Sequence, residues 1–181
     1  VYNIFSNLEK AMTDKERLKH SMKRFFKDII STCKIAGIKI NLHDSAYVKI
    51  AEDAEAAGYF CGEDMELVAA IGGKNLEHAL GTIVHEYCHL EQWAEDAKVW
   101  RTFEANDSMD TLHKYLEGKK ISKKKARKAF DEVIALEADC ERRTMEMIKL
   151  YDLPVNLKKY AKRAEKDLES YNVMFKTKKW A

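Results

Sequence analysis

The stretch His85-Glu86-Tyr87-Cys88-His89, reading HEYCH, decides how this 181-residue chain is read. A helix turns about 100° per residue, so two histidines four apart project about 40° from one another, one turn above the other. Two imidazole nitrogens placed in that way can share one tetrahedral ion, and a glutamate between them stands beside it. With six histidines in the chain the pattern can also arise by accident, so it needs a helix and a third ligand. The helix is predicted over 75–100. No Pro interrupts it, Gly81 is its only Gly, and Asn75 is the candidate N-cap after the Gly72-Gly73 break. Leu76, Leu80, Ile83, Tyr87, Leu90 and Ala94 form its apolar stripe. His85 and His89 fall on the other side with Thr82, Gln92 and Asp96, facing outward toward a cleft or toward water.

The candidate third ligand comes from the segment ALEADCERR, residues 135–143. Ser122 caps a predicted helix that runs to about Tyr151, with Pro154 as its stop. Its apolar stripe is Ala126, Phe130, Val133, Ile148 and Tyr151, with Thr144 on the same line, and Glu137 lies in the middle of it. An ionised carboxylate at a core-facing position is costly unless it is paired or bound to a metal. Its partner is either an ion held by His85 and His89 or an arginine or lysine from another element. Glu141, one turn later, is placed to accept a hydrogen bond from a ligand histidine's other ring nitrogen and so fix its tautomer; otherwise it is a solvated helix residue. Glu86 is the candidate general base, because a carboxylate beside the ion can take a proton from bound water, whose pKa zinc lowers to roughly 7. Cys88 and Cys140 adjoin proposed ligands but point about 80° away on their own helices, as small buried side chains do.

On these residues the chain resembles the gluzincin-type zinc metallopeptidases, in which a helical HExxH supplies two ligands and a glutamate from a later helix supplies the third. The resemblance covers roughly residues 47–151. His85, Glu86 and His89 match the first motif, and Glu137 with Glu141 match the later E-x-x-x-[DE] arrangement. The compact size, the strand-rich approach and the ALEAD segment look most like small intracellular members such as the ImmA/IrrE-type peptidases. The gap from His89 to Glu137 is longer than a short zincin needs, and LEQWAEDAK after His89 offers no third histidine of the metzincin kind. The resemblance implies a zincin-like α+β fold, one Zn2+ per chain on His85, His89 and Glu137, and hydrolysis of a peptide or protein substrate with Glu86 as base. A second reading keeps the same ligands in a zinc-containing regulatory or binding protein without peptidase activity. The presence of Glu86 favours the enzyme, since a structural site gains nothing from a base.

Hydrophobic residues at 46% and charged residues at 34% fit one domain over 1–181 that buries a single core. The net charge of +2 gives no global pull toward nucleic acid or membrane. Scattered cysteines without a CxxC pair, no membrane-length apolar run and no signal-peptide core in the first thirty residues point to a cytoplasmic protein. A start at Val1 rather than Met points to trimming, processing or a chosen boundary. Thr13 to Glu16 forms a T-x-x-E capping box opening a helix over 13–36. Strands are predicted at 38–42, 47–51, 58–61 and 66–71, forming one small mixed sheet beside the HExxH helix, its last strand free to pair with an extended peptide. Helices dominate the rest of the chain over 108–175. The run Lys119 to Lys128 carries seven basic residues and, with no interleaved aromatics, reads as a solvated loop and helix entrance before it reads as a site for an acidic partner or nucleic acid. His20, His43, His78 and His113 have no partner at metal spacing, with His113 and Tyr151 remote candidates for oxyanion stabilisation.

Overall fold

A computed structural model describes residues 13–51 and 54–180. Among them are six helices and five short strands: α1 (Asp14–Ala36), β1 (Lys39–His43), β2 (Val48–Ala51), β3 (Ala54–Ala56), β4 (Gly58–Cys61), β5 (Glu66–Ala70), α2 (Leu76–Ala94), α3 (Lys98–Ala105), α4 (Ser108–Leu116), α5 (Lys123–Leu150) and α6 (Leu157–Thr177). The architecture is α+β and helix-rich with a small mixed sheet. The chain divides into two compact units, Val1–Val84 with Glu146–Val155, and His85–Met145 with Asn156–Ala181. No described helix is long and apolar enough to cross a membrane. The expectation about a signal-peptide core rests in part on residues 1–12, which lie outside the described residues.

In the first unit the Thr13 box closes both ways. The Thr13 hydroxyl accepts from the Glu16 amide at 3.3 Å, and the Glu16 carboxylate accepts from the Thr13 amide at 2.8 Å. α1 ends at Gly37, whose φ of 73° lets its amide turn back onto the Cys33 and Lys34 carbonyls. Phe25, Ile29 and Cys33 are buried, and Tyr151 meets Phe25 edge-on at 5.3 Å while its hydroxyl donates to Asp28 at 3.0 Å.

β1 runs parallel to β5, with Lys39 opposite Glu66, and β4 runs antiparallel to it, with Cys61 opposite Glu66. β5 is therefore the central strand, and its own edge is not free for an extended peptide as the sequence suggested; among the described residues β1 and β4 are the outer strands of this sheet. The reason is its unbroken buried run Leu67, Val68, Ala69 and Ala70, the pattern of a strand covered on both faces. β2 and β3 form a separate antiparallel pair, so there are two small sheets where one was expected. β3 has an Ala/Glu sequence of low strand preference and is a strand only through its pairing.

Gly72 follows β5 where two backbones touch. Its amide donates to Ser45 O at 2.9 Å, and a Cβ there would stand 2.4 Å from Ser45 N and 2.5 Å from the Asp44 carbonyl carbon. Backbone cannot yield as a flexible side chain does. Gly72→Ala is expected to destabilise the protein by about 1–3 kcal/mol in a denaturant titration, in the range of overpacked sites; unchanged stability would contradict this close approach.

The second unit holds the second half of α2. This helix stops at Ala94 and does not run on to Trp100 as predicted. Asp96 adopts a left-handed φ of 51°, and the amides of Asp96 and Ala97 turn back onto Trp93 O and Gln92 O at 3.0 and 2.9 Å. An aspartate in the position usually taken by glycine hides this stop from a reading based on Gly and Pro. A core of Leu112, Tyr115, Ala126, Phe130, Val133 and Met174 joins α4, α5 and α6, with Tyr115 stacked on Phe175 at 5.5 Å. Ser122 caps α5 by accepting from the Lys125 amide at 3.2 Å. Lys119, Lys120, Lys123, Lys124 and Lys125 are exposed there, while Arg127 pairs with Asp131 and Lys128 with Glu132.

Candidate metal centre

α2 supplies His85, Glu86, His89 and Gln92, and α5 supplies Glu137, Asp139, Cys140 and Glu141, all within the second unit. Of the side of α2 expected to face outward, Thr82, His89 and Gln92 are buried, at 6%, 8% and 0% exposed, and His85 is partly buried, while Asp96 is exposed; Glu86 beside them is 6% exposed. Polar groups of α5 pack there, so an amphipathic pattern that reads as solvent-facing is satisfied by hydrogen bonds.

Gln92 fixes the chemistry of His89. Its amide nitrogen lies 3.0 Å from Leu136 O and 2.9 Å from Asp139 Oδ2, both of which only accept. The amide oxygen must then face His89, and Nδ1 of His89, 2.8 Å away, must carry the proton. Glu141 does the same for His85, its Oε1 standing 3.3 Å from His85 Nδ1. Each ring therefore turns an Nε2 lone pair toward the other at 3.2 Å. Glu137 Oε2 completes the group at 3.4 Å from His85 Nε2 and 3.5 Å from His89 Nε2. Three acceptors thus face one another with no donor among them, an arrangement that calls for a cation or an added proton.

The electrostatics carry the same demand. Burial disfavours charge on either imidazole, yet Cys140, Glu137 and Glu141 hold His85, and Cys140 and Glu137 hold His89, well above the ordinary histidine value. Burial would raise Glu137, but His89 and His85 outweigh it and keep this carboxyl well below its usual range. Glu86 is pushed up, chiefly by burial, with His85 and His89 opposing. Among the described residues Glu137 pairs with the two histidines and with no arginine or lysine.

Cys140 differs from its reading as a side chain turned away. Its thiol donates to His85 O at 3.2 Å and lies 3.6 Å from His85 Nδ1. Ligand atoms of His85, His89 and Cys140 lie within 4.8 Å of one another, so this buried cluster can hold a metal ion. An angle on one helical wheel does not report what a second helix brings alongside. All four cysteines are free thiols.

Gln92 and Asp139 were missed as site residues, although Gln92 follows His89 by three positions and shares its face. Although partial burial opposes it, hydrogen bonds from Gln92, Arg142 and Arg143 hold the Asp139 carboxyl at about 2. Three residues of α6 also feel the centre. Tyr160 and Asp167 are raised chiefly by burial, and Tyr171 chiefly by the Glu137 charge. The remote oxyanion candidates are engaged elsewhere, His113 against the Trp180 ring at 4.8 Å and Tyr151 with Asp28.

In comparison with known proteins, no family model, no curated protein and no solved structure matches this chain.

A divalent metal ion is expected to raise the thermal midpoint of the protein, by about 2.7 kcal/mol of added stability at a free concentration 100 times Kd. His85→Ala and His89→Ala should each abolish the shift in a thermal melt. A shift of equal size in both variants would place the ion elsewhere.

Proposed function

We propose that this protein is a zinc-dependent peptide-bond hydrolase with a gluzincin-type centre in which His85, His89 and Glu137 would hold the metal. One observation carries the reading. In a tetrahedral site with bonds of about 2.0–2.1 Å, ligand atoms stand about 3.3–3.4 Å apart. The three converging atoms here are separated by 3.2, 3.4 and 3.5 Å. Nitrogen and carboxylate oxygen donors in that number suit zinc and leave a fourth position for water. Zinc bound there would polarise a scissile carbonyl and bring the pKa of its water to about 7.

The chain's own groups supply the remainder. Glu86 follows His85 on α2, and its buried carboxylate accepts the proton of the attacking water and returns it to the leaving amine. Glu141 and Gln92 keep both imidazoles protonated at Nδ1, so neither ring offers the wrong nitrogen. The exposed lysines at the start of α5 take no part: from Lys128 to Glu137 is about 13 Å along a helix. Free thiols fit a reducing compartment, hence a cytoplasmic protein acting on peptides or proteins.

The nearness of Cys140 favours one competing reading, a zinc closed by His85, His89 and Cys140 in a regulatory or binding protein. Against it, the Cys140 thiol is spent on His85 O and sits beside Nδ1, whereas the lone pairs converge at Nε2.

Elemental analysis is expected to find about one zinc per chain. Cys140→Ser should retain it and Glu137→Ala should lose it; the reverse result would move the protein to the competing reading. Glu86→Gln should keep the metal and lower peptide hydrolysis by about 10²–10⁴-fold, since an amide cannot accept the proton of water. Full turnover by this variant on a peptide cleaved by the parent would refute the role of Glu86.

A further inference from the structure

We propose that Gln92 is the positioning residue that presents both His89 and Glu137 to one ion, an inference that rests on the zinc-site reading above. The side chain is fully buried and uses both ends of its amide. Its oxygen accepts from His89 Nδ1 at 2.8 Å, and its nitrogen donates to Leu136 O at 3.0 Å and to Asp139 Oδ2 at 2.9 Å. Turning the amide over would set NH2 against N–H and oxygen against two acceptors, so one orientation is allowed.

Asp139 is held in place in its turn. Arg143 Nε donates to Asp139 Oδ2 at 2.8 Å, and Arg143 reaches Glu95 at 2.8 Å, beyond the end of α2. The bonds of Gln92 to Leu136 and Asp139 and of Arg143 to Glu95 join α2 or its C-terminal extension to α5, while the Arg143–Asp139 bond braces α5 itself. Leu136 is the residue before Glu137, so a donor fixed on its carbonyl also fixes the turn of α5 that carries the carboxylate. One neutral side chain thus sets the lone-pair direction of His89 and the register that brings Glu137 to it. Glu141 orients His85 and touches neither His89 nor the Leu136 carbonyl among the described contacts.

The partition of roles predicts which substitutions fail and how. Methionine at 92 fills similar volume and makes none of the three hydrogen bonds. Glutamate keeps the acceptor for His89 but turns a second oxygen toward Leu136 O and Asp139.

The test uses the full chain, with zinc as the probe. Zinc affinity is measured by competition with a chromophoric chelator for the parent, Gln92→Met and Gln92→Glu. Nitrogen-15 NMR of the zinc-loaded proteins follows the imidazole Nδ1–H signals, which a merely structural role would not move. Gln92→Met is expected to bind zinc about 10–100-fold more weakly. Its His89 Nδ1–H should exchange faster with solvent while that of His85 stays protected. Gln92→Glu should keep the His89 signal protected and still lose affinity, because the hold on Leu136 is gone. The isosteric glutamate variant carries the test if the methionine variant does not fold. Parent-like affinity in the folded variants would overturn the role of Gln92 while leaving the zinc site standing, and a parent that binds no zinc would overturn both.

Discussion

Three lone pairs, two from imidazole Nε2 atoms and one from a carboxylate, point at a common space 3.2–3.5 Å across. Left to themselves they repel, and the surrounding side chains prevent the rings from turning away. Gln92 and Glu141 occupy the other ring nitrogens, so the histidines cannot relieve the conflict by exchanging tautomers. An unpaired buried charge is costly, and a cation in this space converts that cost into attraction. An ion held there would make its binding and the meeting of α2 with α5 one energetic event.

The polar face of α2 shows why a pattern of exposure drawn from hydrophobicity can mislead. Thr82, Glu86, His89 and Gln92 are as buried as the apolar stripe of Leu80, Ile83, Tyr87 and Leu90. α5 is built to match, with Phe130 and Val133 in the apolar core and Glu137, Asp139 and Glu141 turned to the polar network. The bonds of Gln92 to His89, Leu136 and Asp139 specify a unique arrangement, because any slip of one helix along the other breaks several of them together. Asp139 marks the effect: hydrogen bonds from Gln92, Arg142 and Arg143 overcome its partial burial.

Local chemistry was legible wherever one stretch of chain decides the outcome. The HEYCH spacing puts two histidines on one helical face, Asn75 caps α2 by accepting from the His78 amide at 2.9 Å, and Thr13 with Glu16 caps α1. Glu137 stood out because a carboxylate in an apolar stripe demands a partner. The stop of α2 near Asp96 was not legible because it depends on left-handed backbone without glycine, nor was the central place of β5, which depends on pairing with the distant β1, nor β3, whose Ala/Glu sequence carries little strand preference.

The amino-acid sequence by itself determined most of the helices, the caps at Thr13, Asn75 and Ser122, and the candidate ligands and base, because helical periodicity and capping act over three or four positions. Only the tertiary structure decided that His85, His89 and Glu137 converge, that Cys140 lies beside His85, and that Gln92 joins His89 to the turn carrying Glu137. Those relations depend on the register of two helices about fifty residues apart in the chain, and no local period carries that information.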